Sequence, residues 1–403
     1  MVWLLGAASL LNDLSSEALF PLLPLFVTSV LGGGMQALGL IEGAADALSA
    51  LVKVLAGRLS DRGPRRLLVV GGYGLPAVAR AGIAAALAPW HVLAARLLDR
   101  LGKGIRSGPR DALLADAVPR GEVGRAFGVQ RSMDHLGAAL GPLLASALLW
   151  LLAGLPEERR LRWVFAVAAG MGLLAPLLLL VKLKDPRDST STSTPTTTTT
   201  PTPTTTTTPT PTPTTTTTSF RVYMGAVFLF ALGNSSDAFL LVRAGQVGFS
   251  PASLPLLWCA HHVVKTLAGA PGGALSDRVP RRLVVAGGWI AYALSYLGFA
   301  FATERWQVGA LFLFYGLYHG LAEAAERALV ADLAGPGLRG RAYGWYHGVA
   351  GIAALPAGLL TGWLWTAHGA AAALATCAAF AAAAAAVTLG ALRSGARARQ
   401  AGP

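Results

Sequence analysis

Apolar residues run in blocks of about 20 along nearly the whole chain, each long enough at about 1.5 Å per residue to cross a bilayer core of about 30 Å. Polar residues collect in the short intervals between them. The pattern resolves into twelve blocks in two sets of six. The first set lies near 3–31, 36–57, 66–88, 91–115, 124–153 and 162–182, and the second near 221–243, 250–275, 282–303, 306–332, 340–365 and 368–392. Each block is expected to be an α-helix, because a chain in lipid has to satisfy its backbone hydrogen bonds internally. The expected fold is an all-α membrane protein of twelve transmembrane helices.

The fourth block breaks the apolar pattern. "HVLAARLLDRLGKGIRSGPRDALLAD" carries Arg96, Asp99, Arg100, Lys103, Arg106, Arg110 and Asp111. At 100° per residue these charges fill an arc of about 140°, while Leu97, Leu98, Leu101 and Ile105 take the other side. A charge at mid-membrane costs roughly 2.5–3.5 kcal/mol on insertion scales, so this stripe has to face protein or a water-filled cavity. Partners are available in the same half. Glu42, Asp46, Ser49 and Lys53 share a face of the second span, and the first adds Asn12, Asp13, Ser15, Ser16 and Glu17.

Asp13, Glu17, Glu42 and Asp46 form the pool in which a proton carrier is sought; the alternative is that each is locked to an arginine of span four. The cations of span four outnumber its acids, which suggests an anionic group on a bound solute, although acids of spans one and two could neutralise them instead. The second half is more aromatic. It offers Asn234, Ser235, Ser236 and Asp237 on span seven, His261, His262 and Lys265 on span eight, and Tyr315, Tyr318, His319, Glu323, Glu326 and Arg327 on span ten. Adjacent histidines point about 100° apart on a helix, so no metal site is expected from His261 and His262.

Composition excludes several classes. Of 403 residues 54% are hydrophobic and 13% charged, a balance for lipid and not for water. The net charge of +13 sits in particular loops and not in a patch interleaved with aromatics, so no nucleic-acid partner is expected. Arg58, Arg62, Arg65 and Arg66, then Arg120 and Arg125, Lys182, Lys184 and Arg187, Arg278, Arg281 and Arg282, Arg339 and Arg341, and Arg393, Arg397 and Arg399 mark one side, which places both termini in the cytoplasm. The loop "LPEERRLRW" is the discordant one, basic on the outside. Cys259 and Cys377 fall inside spans, so no disulfide framework is expected. No basic n-region precedes the first apolar block, and the start reads as a retained anchor. "GKGIRS" lacks the spacing of a phosphate-binding loop, and neither a nucleophile–base nor a metal constellation is apparent, so neither a cofactor nor enzymatic activity is expected.

Between the sets, Ser189 to Ser219 is almost wholly Thr and Pro and reads as an extended tether. The organisation expected is 1–184 as one six-helix bundle, 185–220 as linker, 221–393 as a second bundle and 394–403 as a basic tail. The bundles repeat: Asp61 and Asp277, Asp116 and Asp332, and Arg125 and Arg341 all stand 216 residues apart within matching motifs. Two parallel repeats around a midplane site are the architecture of a secondary transporter.

"GRLSDRGPRR" and "GGALSDRVPRR" resemble the loop between the second and third helices of the major facilitator superfamily, and the resemblance covers the chain outside the tether. It implies two pseudo-symmetric six-helix bundles and a cytoplasmic gate in which the motif Arg pairs with an acid at the base of helix four. The matching residues are Asp61, Arg62 and Asp116, and Asp277, Arg278 and Asp332. "GAALGPLLAS" resembles the packing motif of the superfamily's antiporters in Gly137, Gly141 and Pro142, with Ala145 and Ser146 where that motif has glycines. Since that family builds its cavity largely from the first and fourth helices of each half, the expected substrate and proton path is Asp13, Glu17, Glu42, Asp46, Arg96, Asp99, Lys103, Arg106, Asp237 and Glu323. On the 216 register Arg110 matches Glu326 and Asp111 matches Arg327 with inverted sign, which suggests pairing across the halves as an inner gate when the cavity opens outward.

The function expected is alternating-access transport of a small polar or charged solute, by proton-coupled export from a bacterial inner membrane, as a monomer. Proton-coupled uptake of an organic anion and a non-transporting membrane sensor are the alternatives.

Overall fold

The computed structural model describes residues 1–60, 65–119, 123–183, 218–334 and 339–400. Helix α1 (Val2–Leu19) continues as a tightened turn (Phe20–Leu22), a short α segment (Leu23–Leu25) and a widened π turn (Phe26–Val30). Pro21 and Pro24 lack the N–H that a regular ladder needs, so the hydrogen bonding re-registers there. Gly32 and Gly34, with φ of 65° and 62°, then turn the chain where a side chain would be strained.

There follow α2 (Gly34–Ser60), α3 (Arg65–Ala84), α4 (Pro89–Asp116), α5 (Val123–Leu151) and α6 (Glu157–Lys182). The second half begins with α7 (Thr218–Gly233), which unwinds over 234–237 and resumes as Ala238–Gln246. Helices α8 (Leu254–Arg278), α9 (Arg281–Phe301) and α10 (Arg305–Ala334) come next. The last stretch, Arg339–Gln400, is divided at Gly369 (φ 84°) into α11 (339–368) and α12 (370–400).

Nine stretches among the described residues are long and apolar enough to cross a membrane, one of them running through the Gly369 break. The charges of α4, and the paired histidines and Lys265 of α8, lower the hydropathy of two helices that have the length. The helices alternate in direction. Met1, Ser60, Asp116 and Arg278 therefore lie at one end of the bundle, called here the terminal face, and Leu31, Ala88 and Ala302 at the opposite face. Large apolar side chains such as Trp150, Val181 and Phe301 stay exposed on the flanks, the surface a lipid chain would cover.

Within the first half α1 packs on α5 and α6, and α3 on α4 and α6; in the second α8 packs on α10, and α9 on both α10 and the last helical stretch. The halves meet along two seams related by the repeat, α2 with α11 and α5 with α8. Contacts between halves lie from mid-helix to the opposite face: Ser146 Oγ donates to the Ala252 carbonyl at 2.5 Å, and the Phe20 and Trp258 rings lie 5.1 Å apart. Toward the terminal face Asp46, Lys103, Asn234, Glu323, Arg327 and His347 are exposed, so the cavity opens that way.

The discordant basic stretch finds its reason in the fold. From Glu157 on, "LPEERRLRW" is the first turns of α6 and not a loop, and Arg162 donates to the carbonyls of Ala84 and Ala86 at 2.9 and 2.8 Å, closing the end of α3. Arg243 does the same for α9, donating to Phe299 and Ala302 at 3.0 and 2.7 Å. The Thr/Pro tether lies outside the described residues, apart from Thr218 and Ser219, which begin α7.

Candidate functional site

The charge stripe of α4 faces protein. Arg96, Asp99 and Arg106 are buried, and Lys103 is exposed to the cavity. Arg96 donates from Nε and Nη2 to the two oxygens of Glu42 at 3.0 and 2.7 Å, a bidentate pair joining α4 to α2. One turn on, Arg100 stands 3.6 Å from Asp46 and 3.9 Å from Asp99. The cations that suggested an anionic solute are thus met largely by α2 and by neighbours on α4, and Glu42 is held by an arginine.

At the centre of the first half is Arg80 of α3, which the sequence reading passed over. It is 4% exposed and donates to Asn12 (backbone carbonyl and Oδ1, 3.2 and 3.1 Å), to Ser15 Oγ (3.0 Å) and to Asp99 Oδ1 (3.0 Å). Arg106 reaches Asn12 Oδ1 at 3.4 Å and the Gly72 carbonyl at 3.2 Å, with its guanidinium over the Tyr73 ring at 4.3 Å. Asn12 in turn donates to Asp13 at 2.8 Å. Arg80 is the only charged residue between Arg66 and His91, and that was the available signal: a lone arginine inside an apolar span is a functional pointer by default.

Glu17 points across the seam. Trp258 Nε1 of α8 donates to its carboxylate at 3.0 Å, and His262 Nε2 lies 3.7 Å away. Trp258 was not among the expected site residues. Ser236, in the unwound part of α7, donates to Glu42 at 3.4 Å, also across the halves. In the second half, Tyr315 donates to Asp237 at 2.6 Å within a cluster of Tyr292, Tyr296 and Tyr318. Lys265 approaches Glu323 at 3.6 Å, and Glu323 also accepts from Arg327. Among the described residues no group of three or more His, Cys, Asp or Glu is placed to hold a metal.

The gate residues are arranged differently from expectation. Asp61 and Arg62 lie outside the described residues. In the second half Asp332 is paired with Arg281, at 2.5 Å, and not with Arg278; Arg281 also lies 3.5 Å from Asp277. The physical reason is position: Arg281 opens α9 beside the end of α10, whereas Arg278 ends α8 and is exposed. Asp116 is the last residue of α4 and is exposed.

With the cavity open to the terminal face, Arg110, Asp111, Glu326 and Arg327 are each engaged in their own half. Arg110 pairs with Asp111 at 2.8 Å, Glu326 accepts from Trp289 and Tyr346 at 2.7 and 2.8 Å, and Arg327 binds Glu323. The small residues of α5 pack closely on α1. A Cβ on Gly137 would stand 2.5 Å from the Leu10 carbonyl oxygen, and one on Gly141 2.4 Å from that of Leu14, so α1 and α5 touch backbone to backbone.

Comparison with known proteins agrees with this architecture. The family model described as Major Facilitator Superfamily matches residues 5–260 and 223–402. An uncharacterized MFS-type transporter of Methanocaldococcus jannaschii is 30% identical over 371 residues, covering 90% of this chain and 88% of that one. The multidrug resistance protein MdtH of Edwardsiella ictaluri is 30% identical over 145 residues, 36% of this chain and 35% of that one. A bacterial homolog to the human lysosomal transporter Spinster, in an inward-facing and occupied conformation, shares the fold with a TM-score of 0.75 at 15% identity, over 97% of this chain and 96% of that one. With its repeated six-helix halves and a family match along nearly its whole length, the chain belongs to the major facilitator superfamily.

Proposed function

We propose that this secondary transporter exports a small polar or charged solute in exchange for protons, with Glu17 as the proton carrier. The observation that carries the reading is the setting of Glu17. Glu42 is bound by Arg96 and Asp99 by Arg80, fixed pairs within one half. Glu17 instead takes its hydrogen bond from Trp258 and faces His262, both on the other half. When the halves rock apart at the opposite face, Glu17 loses both partners and meets water, so its protonation is coupled to the motion. Asp13, one turn away and bonded to Asn12, is the second acid on this path.

Export is supported by the partial likeness to MdtH and by the α1–α5 glycine contacts. The alternation of basic connections supports a cytoplasmic terminal face with both described chain ends on that side; in this reading the membrane is a bacterial inner membrane, and residues 1–184 and 221–393 are the moving bodies of a monomer, joined by the Thr/Pro tether. The test is transport in proteoliposomes. Glu17→Gln is expected to abolish pH-gradient-driven flux while sparing solute exchange at equal pH, and unaltered gradient drive in that variant overturns the assignment.

A further inference from the structure

A cavity of about 250 Å³ lies where α2, α7 and α11 meet, and borders the α4 network through Asp46. Asp46 and Ser49 come from α2, Asn234 from the unwound part of α7 and His347 from α11; the remaining walls are alanine and glycine. Those small residues are why the space exists.

Two independent features give it a sign. Asp46 is the only acidic or basic lining residue besides His347, its side chain is 50% exposed, and Arg100 behind it stands at 3.6 Å, beyond hydrogen-bond contact. Its carboxylate therefore keeps lone pairs for a ligand, unlike Glu42. The first segment of α7 ends at Gly233, and Ala231 and Asn234 line the cavity. A helix C-terminus carries partial negative charge, and broken membrane helices use such ends to hold cations; the Ala231 and Gly233 carbonyls already accept from the Asn234 and Ser235 N–H groups and from Tyr292, so this end acts through its dipole.

Resting on the transport reading above and narrowing it to a substrate class, we propose that this cavity is a subsite for the ammonium group of a small organic amine. The Asp46 carboxylate takes the charge, Ser49 and Asn234 supply further acceptors, and the α7 end adds its partial negative charge. The volume is below the range of drug-sized sites, about 300–1,000 Å³, so the occupant is a small amine or the amino end of a larger solute. A site shared by α2 and by α7 and α11 also lets the occupant sense how the halves are placed.

The experiment is calorimetric titration of the purified full-length protein with ethanolamine, putrescine and tetramethylammonium, with sodium chloride as the inorganic arm, alongside flux of the same amines into proteoliposomes. Saturable binding of one or more amines, weakened at least tenfold in Asp46→Asn and in the cavity-filling Ala350→Leu, is the expected result. Sodium binding that Asp46→Asn removes and Ala350→Leu leaves intact, with amines silent, overturns the amine assignment in favour of an inorganic ion. Amine binding that both variants leave unchanged overturns the site. Asp46-dependent amine binding without flux upholds the subsite and refutes transport of these amines, whereas pH-driven flux of other solutes with no amine binding refutes the subsite and leaves the transport reading standing.

Discussion

The α2–α11 seam offers a direct way to bias the conformation. A Cβ on Gly39 would stand 2.1 Å from the Gly358 carbonyl oxygen and 2.8 Å from its carbon. Ordinary C···O contact begins at about 3.3 Å, so Gly39→Ala forces the two backbones apart by about 1 Å. No side chain can rotate away to relieve it, because both partners are main chain. Overpacking of this kind costs about 1–3 kcal/mol. The strain exists only while the seam is closed, so it shifts the equilibrium away from the terminal-open state by about 5–150-fold. Gly358→Ala meets the Gly39 oxygen at 2.3 Å and should act alike, whereas Gly348→Ala, with nothing within 4 Å, is the control.

The assay is maleimide labelling of Thr28→Cys, near the opposite face, in purified protein with Cys259 and Cys377 replaced by alanine. Labelling should accelerate in Gly39→Ala and Gly358→Ala but not in Gly348→Ala, with transport slowed in the first two. Equal labelling rates and full transport in Gly39→Ala would refute the claim that this seam has to separate during the cycle.

Other perturbations follow from the polar network. Arg96→Met strands the buried Glu42 carboxylate and should lower stability by about 3–5 kcal/mol, while the double variant Arg96→Met with Glu42→Leu recovers most of it; thermal unfolding in detergent reads both. Arg281→Gln and Asp332→Asn should impair transport equally and not additively, and Arg278→Gln less, as initial rates would show. The pair of Asp332 and Arg281 is partly exposed, so unfolding midpoints in those variants should shift by no more than about 1 kcal/mol. Charge exchange between Arg110→Glu and Glu326→Arg should restore part of the transport lost in each single variant, and no rescue argues against their meeting in the outward-open state.

Much of the fold is readable in the chain because lipid imposes a simple rule: apolar blocks of spanning length become helices, and a charged block among them has to face inward. The stripe on α4 obeys that rule. Partner choice was less legible. Arg278 and Arg281 sit three residues apart in the same motif, and only the break between α8 and α9 decides which reaches Asp332. The stretches "SSEA" and "SSDA" look alike, yet Ser15–Ala18 stays helical, with Ser15 bonded to Arg80, while 234–237 unwinds. Gly233 and Asn234 are the local signal for the break, while the partners that take the freed carbonyls of Gly233 and Ser235, Tyr292 and Tyr296 of α9 at 3.0 and 3.2 Å, lie on another helix and are not contained in the local sequence. Trp258 was hidden for the same reason: an indole in an apolar span has no polar signature until Glu17 is placed against it.

The measurement closest to the central claim is the current recorded on solid-supported membranes from proteoliposomes, under pH gradients of either sign, across organic cations, zwitterions, organic anions and divalent metals. Proton-coupled alternating access through Glu17 predicts a solute-specific signal that responds to the sign of the gradient and disappears in Glu17→Gln. A solute-specific signal indifferent to pH in both the native protein and Glu17→Gln would contradict it.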